Sequence, residues 1–149
     1  IQNREEALAY VASRLPATYG AVSKALAELA RIADGFAPGT VLDIGAGPGT
    51  AALAARDIWP SIEKMNLVEP NVPLSACGDA LMKALEFPGH YQRGTLQKMP
   101  EQEKADLVLA SYVLNEVPDE AILHGVKTLW DHAKDALVIV ETGTPHGYT

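Results

Sequence analysis

Val41-Leu42-Asp43-Ile44-Gly45-Ala46-Gly47-Pro48-Gly49-Thr50 leaves a short apolar run, crosses three glycines and enters an alanine-rich segment. A continuous apolar run of this kind reads as a strand covered on both faces, and the alanines after it as a helix. Strand, tight turn and helix start form the setting in which a backbone loop receives a nucleotide. Glycine at 45 and 47 allows the turn and leaves room for a ligand to approach the main chain. The helix start should bring free N–H groups to the same place. A loop that only turns the chain is the plainer alternative.

The ligand class follows from spacing and charge. A dinucleotide loop places its glycines as G-x-G-x-x-G, but here Gly49 follows Gly47 by two and position 50 is threonine. Asp43, on the approach, would repel a pyrophosphate and suits an ammonium group, such as the methionine part of S-adenosyl-L-methionine. An NAD(P)-dependent oxidoreductase is the disfavoured competitor. Glu69-Pro70 closes the next apolar run, with Glu69 twenty residues past Gly49, where an acid accepts ribose hydroxyls. A solvated strand-end glutamate is the alternative.

Around this centre, short apolar runs alternate with helical periods. Strands are expected at Thr40–Ile44, Lys64–Val68, Tyr91–Arg93 (weak), Asp106–Ser111 and Ala136–Glu141, and helices at about Thr50–Trp59, Pro73–Leu85 and Asp119–Ala133. Ile122, Val126, Leu129 and Trp130 should share one side of the last helix; Trp130, Trp59 and Cys77 read as core. Ahead of the first strand, one helix runs from Asn3 to Leu15 and ends near Pro16. A second carries Val22, Ala25, Leu26, Leu29, Ile32 and Ala33 and stops at Asp34-Gly35. The expected architecture is α/β and Rossmann-like: an open, mostly parallel sheet with helices on both faces, preceded by two N-terminal helices. Residues 1–39 form a helical segment packed on a core of residues 40–149, one domain in all.

Polar residues just past strand ends line the crevice of such folds. Gly94 and Thr95 follow the third strand, where adenine is read. Ser111 and Tyr112 end the fourth and belong beside the methyl-bearing end of the donor. Asn115 follows, as a pocket or a capping residue. Tyr19 closes over the donor or merely packs, and Glu141 is a further pocket group. His146 is a general-base candidate or a solvated loop histidine. No catalytic residue is singled out.

The chain's 149 residues carry 19 acidic and 12 basic side chains, net −7, so no bulk RNA-binding face is visible. Four of each sign lie in residues 1–40, leaving the deficit to the rest. The single cysteine, Cys77, permits no intrachain disulfide and fits a reducing compartment. No apolar run approaches the roughly 20 residues that span a bilayer, and no signal peptide is evident. These features point to a cytoplasmic protein.

Loop, Glu69 and strand order together resemble class I S-adenosylmethionine-dependent methyltransferases over residues 40–141. Four segments carry a closer resemblance: Leu15-Pro16-Ala17-Thr18-Tyr19, the glycine loop, Ala110-Ser111-Tyr112-Val113-Leu114-Asn115-Glu116, and Val140-Glu141-Thr142-Gly143-Thr144-Pro145-His146-Gly147-Tyr148. Together they look like the methyltransferase-like family associated with the small subunit of the mitochondrial ribosome, which also has bacterial members. The resemblance implies a methyltransferase fold and a small-ribosomal-subunit or rRNA partner. It leaves two functions: methyl transfer to rRNA or a ribosome-linked substrate, and ribosome assembly without catalysis. Family members continue into a cysteine-containing segment able to hold a metal centre, and then into further strands. With Cys77 alone and an end at Thr149, no metal ligand set is expected, and the C-terminal strands should be missing. No Asn/Asp-Pro-Pro-Tyr/Phe signature of amino-group methylation, and no nucleophilic cysteine, follows the fourth strand.

Overall fold

The computed structural model describes residues 1–143. Helix α1 (Arg4–Ile32) opens the chain. Asn3 caps it, its side chain accepting the Glu6 N–H at 2.9 Å, and Glu5 and Glu6 occupy the first turn, where the helix dipole favours anions. The break expected at Pro16 does not occur: one helix of 29 residues replaces two. Pro16 offers no N–H to the Ala12 carbonyl and costs roughly 3 kcal/mol inside a helix. Ala7 on one side of it and Val22 and Leu26 on the other are fully buried. Burying a valine or leucine contributes about 1.5–3 kcal/mol each, enough to carry the helix through.

The remaining elements are β1 (Thr40–Ile44), α2 (Thr50–Ile58), β2 (Lys64–Val68), α3 (Val72–Ala84), β3 (Gly89–Gln92), β4 (Ala105–Ser111), α4 (Asp119–His132) and β5 (Ala133–Val140). A single 3₁₀ turn, Leu114–Glu116, lies between β4 and α4. All neighbouring strands are parallel, in the order β3-β2-β1-β4-β5. Ile44 stands level with Val68 on one side and Ala110 on the other, so β1, β2 and β4 end together. The order of succession reverses at β1, between β2 and β4, which opens a crevice at their C-terminal ends.

Alternate strand residues face opposite layers. Val41, Met65, Leu67, Leu107 and Leu109 pack with Val22 and Leu26 of α1 and the alanines of α2, while Leu42, Ile44, Val68, Val108 and Ala110 pack with Leu129 of α4. Helices therefore cover both faces, as expected. Two strands differ from the reading. β3 lies two residues earlier than predicted at its start and is short and polar, and β5 begins three residues earlier, where exposed Lys134 and Asp135 mask it. Trp130 is not core: it is 69% exposed, while Gly125 and Leu129 are buried. Successive helix positions are rotated by about 100°, so Leu129 and Trp130 cannot both face the sheet. Trp59 is buried, edge-on to Phe36 with ring centroids 5.5 Å apart, and Cys77 is half-buried.

Candidate functional site

A cavity of about 490 Å³ opens at the C-terminal ends of β1, β2 and β4, within the size range of small-molecule sites. Gly45, Ala46 and Gly47 form one wall, Glu69 and Pro70 another, and Thr95, Ser111 and Tyr112 a third. Helix α1 adds Tyr10, Arg14 and Thr18, spaced four apart and so on one helix face, and the first turn of α2 adds Thr50 and Ala51.

The turn is shaped by its own hydrogen bonds. Gly45 and Ala46 donate their N–H groups to the Val68 carbonyl at 2.8 and 3.0 Å, tying β1 to β2. Gly47 donates to Glu69 Oε1 at 2.8 Å, Gly49 donates to the Ala46 carbonyl at 2.9 Å, and Pro48 has no N–H. The donors of residues 45–49 are thus committed to the protein, and the N–H groups expected at the helix start are those of the first turn of α2, where Thr50 and Ala51 line the cavity. What the loop itself offers is space. Gly47 takes φ +54, and a Cβ built there meets nothing within 4 Å.

Glu69 is buried to 8% exposure on the cavity wall. Its Oε1 accepts from Gly47 and its Oε2 from the Asn71 N–H at 2.7 Å. Burial raises its pKa, against the pull of those two N–H groups. A carboxylate has about four acceptor positions, so each oxygen keeps one for a ligand hydroxyl.

Asp43 lies elsewhere than expected. It is fully buried and off the cavity wall, on the sheet face that packs against α2. Neither carboxylate oxygen makes a hydrogen bond of normal geometry among the described residues. Burial, and then the negative charge of Glu69, raise its pKa to about 8, with a weaker opposing contribution from the Ala52 N–H. At neutral pH it is mostly the neutral acid. Its side chain lies on the α2 side of the sheet, behind the cavity-lining turn.

The other expected residues divide. Thr95, Ser111 and Tyr112 reach the cavity; Gly94 does not and packs against Pro100. Gly49 is buried behind the loop, against Met82 and Tyr91. Tyr112 adopts φ +58, a region tyrosine rarely enters, and its N–H donates to the Val140 carbonyl at 2.7 Å. Strain of roughly 1–3 kcal/mol at such positions clusters at binding sites. Asn115 is exposed on the 3₁₀ turn, away from the wall, whereas its neighbour Glu116 lines it. Tyr19 also lies off the wall and donates its hydroxyl to Asp57 of α2, which raises the tyrosine pKa. Glu141 accepts the Leu114 N–H at 2.8 Å and braces the 3₁₀ turn from behind. His146 lies outside the described residues.

Two contributors were missed by the reading. Arg14 lines the cavity from the α1 face that also carries Tyr10 and Thr18. Tyr91 of β3 donates its hydroxyl to the Gly47 carbonyl at 2.9 Å from beneath the loop. Burial raises its pKa, and the neighbouring carboxyl groups of Asp43 and Glu69 add to the shift. Gly78 makes room for it: a Cβ there would sit 1.9 Å from the Tyr91 hydroxyl. A glycine inside the α3 period was the available signal for such a close approach.

Comparison with known proteins follows the same lines. The description of one family, mitochondrial small ribosomal subunit Rsm22, matches residues 4–149. The human protein named ribosome assembly protein METTL17, mitochondrial, is 31% identical over 150 residues, covering 95% of this chain and 33% of its own length. The chain thus spans about a third of that relative. An S-adenosylmethionine-dependent methyltransferase from Clostridium acetobutylicum superposes with a TM-score of 0.74 at 14% identity, over 92% of this chain and 57% of that one. The plantazolicin methyltransferase BpumL, solved in complex with SAH, gives 0.70 at 14% identity, over 91% and 51%. At these identities the likeness establishes the fold. The cytoplasmic placement is overturned, since the matched family and the human relative are mitochondrial. A lone thiol argues only against an oxidising compartment and cannot tell one reducing compartment from another. With 146 of its residues matched, positions 4 to 149, the chain belongs to the Rsm22 family and carries the class I methyltransferase fold.

Proposed function

We propose that the cavity binds S-adenosyl-L-methionine and that the chain is the donor-binding domain of a methyltransferase working on rRNA or a ribosome-linked substrate of the mitochondrial small subunit. Residues 1–39 act as a helical cover on the core of residues 40–149. Glu69 is the observation that carries the reading: it stands on the wall with one acceptor position per oxygen still open, ready for two ribose hydroxyls. The loop argues in the same direction. Its glycine spacing, with Gly49 two after Gly47, is not the G-x-G-x-x-G of a dinucleotide loop, which disfavours NAD(P). In this reading Thr95 receives the adenine and Ser111 and Tyr112 the sulfonium end; all three line the cavity. When bound, the donor supplies an electrophilic methyl group on a cationic sulfur. The protein's share is to orient it and to exclude water.

A second reading is favoured by the human relative, which is named a ribosome assembly protein: the cavity holds the donor as a structural ligand and no methyl is transferred. Isothermal titration with S-adenosylmethionine and with NAD tests the shared part, and binding of the first alone is expected. NAD binding without donor binding would overturn it. A labelled-methyl assay on mitochondrial small subunits separates the two readings: incorporation supports catalysis, and its absence supports the assembly role.

A further inference from the structure

We propose that Arg14 is the carboxylate subsite of this cavity, pairing with the α-carboxylate on the amino-acid tail of the donor. The inference rests on the donor reading above. A zwitterionic tail carries one cation and one anion out of water, and each needs a partner where it comes to rest. An acid other than the ribose-binding Glu69 is at hand for the ammonium, since Glu116 also lines the wall. The carboxylate can turn to the first-turn N–H groups of α2 at Thr50 and Ala51 or to a cationic side chain. Every N–H from Gly45 to Gly49 that exists is donated to Val68, Glu69 or Ala46.

Arg14 is the only lysine or arginine on the cavity wall among the described residues. It shares the α1 face with Tyr10 and Thr18, and no ion pair or hydrogen bond among the described residues engages its side chain. The contrast with other arginines is informative: Arg31 pairs with Glu28, and Arg56 lies over the Phe87 ring at 5.6 Å. An unengaged guanidinium on a wall that also carries acids is available to an anionic group of the ligand, and its planar fork matches a carboxylate with two parallel hydrogen bonds.

Decarboxylated S-adenosylmethionine, which keeps the sulfonium, the ribose and the amine, isolates this contact. The full-length protein, wild type, Arg14→Gln and Arg14→Lys, would be titrated with both ligands. Wild type should prefer the carboxylated donor, and Arg14→Gln should lose about 10- to 100-fold on that donor alone, collapsing the preference. Arg14→Lys, which keeps the charge but not the fork, should fall between. Arg14 is exposed, so the variants should keep the wild-type melting temperature. An unchanged preference in Arg14→Gln, or equal losses on both ligands, would overturn the inference and leave the carboxylate to the first turn of α2. Wild-type protein that bound neither ligand would overturn the donor reading, and this inference with it.

Discussion

In Glu69 each carboxylate oxygen already takes one backbone N–H, from Gly47 and from Asn71, so the side chain shapes the loop before any ligand arrives. Glu69→Ala should therefore act twice. Titration should show donor binding weakened by about 1–3 kcal/mol, and the melting temperature should fall because two N–H groups lose their acceptor. Wild-type affinity in that variant would remove Glu69 from the site. Gly47 poses the opposite case, since its missing side chain leaves open space. Gly47→Val should abolish donor binding by filling that space, while left-handed strain costs roughly 1–3 kcal/mol of stability. Unchanged affinity would make the loop a turn and nothing more. Both residues were legible in the sequence because turn and acid each sit at the end of an apolar run. Tyr91 was not, because its partner, the Gly47 carbonyl, lies 44 residues away.

Among the elements, α1 departs most from its sequence signal. Local rules stop a helix at Pro16, yet the burial of Ala7, Val22 and Leu26 holds the segment in one piece. Replacing Pro16 by alanine should restore the hydrogen bond to the Ala12 carbonyl and raise stability by up to about 3 kcal/mol, read as a higher melting temperature. A lower one would show that the proline ring or its kink contributes packing that alanine cannot supply. The same helix lines the cavity with Arg14 and Thr18, on either side of Pro16. Helix α4 carries the converse lesson. Its apolar residues span more than one face, and only the sheet decided that Leu129 goes in and Trp130 stays out.

For the molecule as a whole, buried acid sets the pH response. Folded Asp43 holds its proton to about pH 8, against an ordinary value of 3.8. Between those limits the native state binds more protons than the unfolded chain. Stability is therefore greatest on the acid side of that window and falls as pH rises through it, with Glu69 acting in the same direction. Melting temperatures taken from about pH 5 to about pH 8 should decline in wild type, each 1 kcal/mol moving the midpoint by roughly 2–4 °C. Asp43→Asn, neutral throughout, should flatten the decline; equal slopes in the two proteins would show that Asp43 ionises as freely folded as unfolded.

Read along the chain, apolar runs and glycine spacing were enough to establish a parallel α/β sheet, a turn after its first strand and an acid after its second, because each of those features is built from residues within a few positions of one another. Tertiary structure alone decided that the loop's N–H groups belong to Val68 and Glu69, that Asp43 is buried on the α2 side of the sheet, and that α1 lays Arg14 along the cavity wall. Those outcomes depend on which distant groups compete for the same donor or the same buried space, and that competition exists only once the strands are side by side.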